Sequence, residues 1–269
     1  MNGETEMIRN KTNIYYTLRF ASAMCFIGHG AFGIITKPIW CNYFGVVGIG
    51  HDTSYQLMPI VGAIDILCGI SLLIYPTCAV FGWLVIWGTI TALCRPLSGE
   101  PFAEFIERAG NFGAPLALLL LCGAGIIRQG GWFSYFGPER AVGKENQDKV
   151  ITCLKIVVFL LLAGHGWLNL VEKKGLMGQY SSLGFSNPAS VAHIVGIFEI
   201  FAACTVLIKP IRPVLLTFLI WKMGSELFYP HWEVFEWVER GGSYGAILAL
   251  WFALPRNYKS VSFKIPALK

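Results

Sequence analysis

Twelve polar side chains stand inside or at the edges of long apolar runs in this chain. They are His29, Asp65, Arg95, Glu107 and Arg108 in the first half, and His165, Asn169, Glu199, Lys222, Glu226, Glu239 and Arg240 in the second. A histidine beside a carboxylate exchanges protons near neutral pH. His29 with Asp65 and His165 with Glu199 are therefore the candidate catalytic pairs. Charged and amide groups around such a pair would bind and orient a polar substrate. Asn169, Lys222, Glu226, Arg95, Glu107, Arg108, Glu239 and Arg240 are the candidate binding groups. Lys222 and Glu226 are four apart and share a helix face, and His165, Asn169 and Glu172 fall on one stripe. Structural roles remain open for all of them. A histidine between glycines can simply bond a neighbouring helix, and a carboxylate can simply neutralise a buried arginine.

Composition makes these residues costly. The chain has 269 residues, 55% of them hydrophobic and only 14% charged, with a mean hydropathy of +0.57. Average soluble domains carry about 25% charged residues. A disordered chain, a collagen and a small disulfide scaffold are excluded, and a bilayer is the natural solvent. Inside it, an ionisable group is a functional candidate by default. The eight cysteines form no C-x-x-C, so a metal site or disulfide framework is not expected. No P-loop, GxGxxG after a strand, GxSxG or HExxH is present, which argues against a soluble enzyme, a nucleotide binder or a nucleic-acid partner.

Eight windows are long and apolar enough to suggest membrane spans: 15–36, 57–76, 78–94, 111–127, 150–171, 190–208, 212–228 and 242–255. Tyr75-Pro76-Thr77 and Lys209-Pro210-Ile211-Arg212-Pro213 read as tight corners between spans. The expected fold is an all-α polytopic membrane protein with eight transmembrane helices in two tandem four-helix bundles. The first span is expected to be retained, since no A-x-A site follows it. Lys and Arg concentrate about twofold on the N-terminal side of the spans, which predicts both termini in the cytoplasm.

The halves repeat. Ile60–Ile66 matches Ile194–Ile200 with Asp65 exchanged for Glu199. Glu107–Ala114 matches Glu239–Ala246, Gly28-His29-Gly30 matches Gly164-His165-Gly166, and Trp87 and Pro96 match Trp221 and Pro230. All offsets lie between 132 and 136. This predicts a repeat over 1–127, a cytoplasmic linker over 128–149, and a second repeat over 150–269. An even number of spans per half makes the repeats parallel. The second half is richer: Lys222 and Glu226 replace Gly88 and Ala92, whereas Arg95 aligns with Tyr229. Segments 100–109 and 231–240 alternate carboxylates with aromatics (Glu104 with Phe105, Glu233 with Trp232, Glu236 with Phe235 and Trp237). With 37–56 they read as interfacial caps. The charged groups are expected to converge in one cavity on the outer side.

Several marks resemble the DoxX-like family of four-helix membrane proteins. Arg19 is followed by the GHG turn and Lys37, and a second helix carries Asp65 or Glu199 among glycines and leucines. A glycine-flanked Glu-Arg precedes the fourth helix. Gly164-His165-Gly166-Trp167, Lys173-Lys174-Gly175-Leu176 and Ile194–Ile200 are the closer match. The resemblance implies a four-helix unit in a bacterial inner membrane and a redox link, since relatives include subunits of thiosulfate:quinone oxidoreductase. The fused duplication and the GHG histidines depart from the simple pattern, so thiosulfate chemistry is not carried over. The expectation is a quinone-linked membrane redox component with an outward-facing polar pocket. Quinone is its possible cofactor, no haem, iron–sulfur cluster or metal is expected, and its partners would be the lipid bilayer and a redox protein. The alternatives are a small-solute transporter or channel and a non-catalytic complex subunit.

Overall fold

The computed structural model describes residues 3–128, 131–140, 144–227 and 234–255. These residues are helical almost throughout. The helices are α1 (Gly3–Ile34), α2 (Trp40–Gly45), α3 (His51–Ile74), α4 (Cys78–Leu97), α5 (Ala103–Glu107) and α6 (Ala109–Arg128). There follow α7 (Lys144–Leu170), α8 (Lys174–Ser182), α9 (Pro188–Ile208), α10 (Arg212–Leu227), α11 (Val234–Glu239) and α12 (Gly241–Ala253). Of the residues matched in the halves, Tyr229 and Pro230 lie outside the described residues, as do Trp232 and Glu233.

Each of the eight apolar windows forms a helix, but among the described residues only four helices are long and apolar enough to cross a membrane. These are α3, α4, the Asn146–Leu170 part of α7, and α9. The expected count of eight spans is thus not met. The reasons are local. α10 has 16 residues and α12 has 13. α6 breaks at Gly123 (φ 70°, ψ 152°), leaving Ala109–Gly123 as its apolar part. α1 is long, but Arg19, His29 and the small residues between them dilute its apolar character.

The corners follow from the prolines. α3 stops before Tyr75-Pro76, and the Thr77 side chain caps α4 by accepting from the Val80 N–H at 3.2 Å. Arg19 donates from Nε and Nη2 to the carbonyls of Leu72 and Leu73, both at 2.5 Å, and so satisfies the exposed carbonyl end of α3. The α3–α4 corner is fastened to residues 131–140. The Phe136 N–H donates to the Pro76 carbonyl, and the Tyr15 hydroxyl donates to that of Phe136.

The packing recurs in two copies. α1 lies against α3, as α7 lies against α9. α1 also lies against α11 and α12, as α7 lies against α5 and α6. Each half therefore covers its first helix with the caps of the other half. One continuous core results, with Leu18, Phe81 and Leu118 of the first half and Leu154, Leu161 and Ile247 of the second all buried within it. Its outward surface is apolar: Leu67 is 64% and Phe201 72% exposed. A patch of that kind is unfavourable in water and natural in lipid.

Candidate functional site

Glycines bring the site together. In the Gly28-His29-Gly30 segment of α1, a Cβ on Gly28 would strike the backbone of Glu239, and one on Gly30 would strike the carbonyl of Gly62. In α7, Gly164 meets the Glu107 backbone and Gly166 meets the Gly196 carbonyl in the same way. Each histidine is thus held between a cap helix of the opposite half and the second long helix of its own. Gly110 of α6 and Gly242 of α12 touch each other where the halves meet.

Nδ1 of His29 lies 2.8 Å from Oδ2 of Asp65, whose Oδ1 accepts from the Trp87 indole at 2.7 Å. Nδ1 of His165 lies 2.5 Å from Oε2 of Glu199. Asn169 donates to the His165 carbonyl at 3.1 Å and to Glu199 Oε2 at 3.4 Å, while its own Oδ1 accepts from the Tyr180 hydroxyl at 2.7 Å. Burial, then the Glu199 charge, pushes the Tyr180 hydroxyl up to about 12, so it remains a donor at neutral pH. Among the described residues, the second half has no counterpart of the Trp87 bond. Trp221 is 44% exposed, and the buried Oε1 of Glu199 has no hydrogen-bond partner.

Two cavities form where the sequence suggested one. The first, about 190 Å³, is lined by His29, Trp40, Tyr43, Trp87, Arg95 and Glu239, with Arg108 beside them. The second, about 450 Å³, is lined by His165, Tyr180, Lys173, Glu107, Glu226 and Arg240. Each takes its histidine from one half and a glutamate from the other. Asp65, Glu199, Asn169 and Lys222 stand behind these walls rather than on them. Glu172 leaves the predicted stripe: it turns outward at φ 54° and pairs with His193 at 3.2 Å, both about half exposed. Among the described residues, no three His, Cys, Asp or Glu side chains are grouped to hold a metal ion.

An ionic chain connects the cavities. Arg95 approaches Glu104 at 3.6 Å, and Arg108 binds both Glu104 and Glu107 at 2.9 Å. Glu107 also binds Arg240 across the halves and meets Lys222 at 3.6 Å. Lys222 in turn binds Glu226 at 2.8 Å. Two further cross-half pairs, Lys173–Glu104 at 2.5 Å and Lys37–Glu236, occupy equivalent places. Burial pushes the Glu104 carboxyl up, but Arg108, Lys173 and Arg95 outweigh it and hold the group below the ordinary carboxylate value. The same balance, with Arg240 and Arg108 the leading cations, holds Glu107 well below that value. Lys173 is itself held below the ordinary ammonium value, because its burial exceeds the pull of Glu104. A buried pair of this kind persists because losing one partner strands the other charge.

Sequence reasoning missed the site roles of Glu104, Lys173, Tyr180 and Trp87. The offsets of Lys37 to Lys173 (136) and of Glu104 to Glu236 (132), which match those of the GHG and Glu-Arg repeats, were the available signal for the cross-half pairs. α8, which supplies Tyr180, is too polar and short to have announced itself. Comparison of the chain with protein-family models, curated proteins and solved structures found no match.

Proposed function

We propose that this chain is a quinone-binding component of a membrane redox system, with the His165 cavity as its principal site. In this reading α1, α6, α10 and α12 complete a membrane-embedded body with the four long apolar helices. The two halves arise by tandem duplication of a DoxX-like four-helix unit.

One observation carries the reading: a carboxylate-oriented histidine lines an apolar cavity that reaches the apolar outer surface. Leu183, Phe185, Ile220 and Trp221 line the cavity and are also exposed. A lipid-soluble ligand can therefore arrive sideways, without crossing water. The volume of about 450 Å³ lies in the range usual for small-ligand pockets. A bound quinone would supply two-electron, two-proton redox chemistry, with electrons exchanged through a partner redox protein. The protein's part is to bind and to handle protons. Glu199 orients the imidazole, Asn169 donates to Glu199 and is itself oriented by Tyr180, and Arg240 and Lys173 place positive charge on the cavity wall. The transport alternative is less well supported, because Phe81, Leu84, Leu118, Leu154 and Val158 fill the interior of the bundle.

The test is extraction. Protein purified from native membranes in mild detergent is expected to retain a quinone detectable by chromatography of its solvent extract. His165→Phe is expected to lose most of it while remaining folded. Intact protein that neither retains a quinone nor binds added menadione would overturn the proposal.

A further inference from the structure

The geometry of the second cavity also bears on which oxidation state of the ligand it selects. This step rests on the quinone reading above. A neutral imidazole carries one N–H and one lone pair, and the partner of one nitrogen decides the role of the other. Nδ1 of His165 faces Glu199 Oε2 at 2.5 Å. An ionised carboxylate accepts only, so Nδ1 carries the hydrogen. The Asn169 amide nitrogen lies 3.3 Å from Nδ1, well beyond the 2.5 Å carboxylate contact, and donates to Glu199 Oε2 and to the His165 carbonyl, with the amide oriented by Tyr180. Nε2 is then left as a lone pair on the residue that lines the cavity.

A lone pair cannot bond a quinone carbonyl, which also only accepts. It bonds a hydroxyl. We infer that the second cavity takes the reduced, hydroxyl-bearing member of a quinone/quinol pair, with one ligand hydroxyl donating to Nε2 of His165. Arg240 and Lys173 line the same cavity and can donate to the ligand's other oxygen, which in a quinol accepts as well as donates. A quinol thus satisfies both kinds of partner, and a quinone only one.

The experiment uses the full chain in lipid nanodiscs under anaerobic conditions. The probes are menadiol, menadione and 1,4-dimethoxy-2-methylnaphthalene, which keeps the ring and lacks the hydroxyl hydrogens. Menadiol is expected to bind about tenfold more tightly than the other two, the worth of one hydrogen bond to an otherwise unpaired acceptor. In 15N-histidine NMR of the ligand-free protein, His165, assigned with His165→Phe, is expected to show protonated Nδ1 and bare Nε2. Glu199→Leu removes the acceptor facing Nδ1 and leaves the Asn169 amide nitrogen, a donor 3.3 Å from it, so Nε2 takes the hydrogen. The preference should then shrink to within about twofold or invert toward menadione. Equal affinities for all three probes, or an Nε2–H tautomer in the unaltered protein, would overturn this inference alone. Failure of every probe to bind would overturn it together with the quinone reading.

Discussion

A tryptophan decides how the two histidine–carboxylate pairs differ. Asp65 has both oxygens satisfied, one by His29 and one by the Trp87 indole, and it is wholly buried. Trp87→Phe removes the donor and leaves a buried carboxylate oxygen unpaired, a loss of about 1–3 kcal/mol. Trp221→Phe alters a half-exposed ring and should change stability by no more than about 0.5 kcal/mol. Denaturant unfolding of both variants in detergent checks the contrast, and equal losses would show that Trp87 is not bonded to Asp65. His165 and Glu199 were legible as a pair because the first half carries a histidine and an acidic residue, His29 and Asp65, at offsets of 136 and 134. That the carboxylates stand behind the cavity walls was not legible, because side-chain direction depends on how α3 and α9 are rotated.

At the scale of elements, small residues govern which helices can meet. Gly30 and Gly166 are pressed against the carbonyls of Gly62 and Gly196. An alanine at either site forces α1 from α3, or α7 from α9, and is expected to cost about 1–3 kcal/mol. Gly178 in α8 and Gly224 in α10 have open space around them. Alanine there should be neutral or stabilise by up to about 1 kcal/mol through helix propensity. Thermal unfolding of the four variants tests this, and a uniform response would sink it. Helix positions were readable from apolar runs and proline corners. The number of membrane-length helices was not, since windows of similar hydropathy hide where Gly123 breaks α6 and where α10 and α12 stop. α5 and α11 were anticipated as caps from their alternating aromatics and carboxylates, and α2 from its aromatics Trp40, Tyr43 and Phe44. Which half each cap serves was invisible, because the pairing of α5 with α7 and of α11 with α1 joins residues far apart in sequence.

For the whole molecule, the ionic chain ties stability to acidity. Glu104, Glu107 and Glu239 are all held below the ordinary carboxylate value, in each case because neighbouring cations outweigh burial. Depressed carboxyls contribute stability that is fully present above their unfolded value of about 4.3 and is lost as pH falls through their folded values. The melting temperature is therefore expected to change little from pH 7 to pH 5 and to fall below about pH 4. Glu104→Gln should flatten that fall, and an unchanged acid limb in this variant would refute the role assigned to the chain. The cross-half packing carries its own consequence. Residues 1–128 and 144–269, produced as separate polypeptides in one cell, are expected to copurify, and two independently stable fragments that ignore each other would contradict the shared core. The contact of Gly110 with Gly242 sits where these two bodies begin their last helices. Nothing bulkier than a hydrogen atom separates them, and the segments immediately before each carry the glutamates that close the opposite cavity. A methyl group added at either glycine would act as a wedge felt in both chambers at once, so neither chamber can be retuned there in isolation.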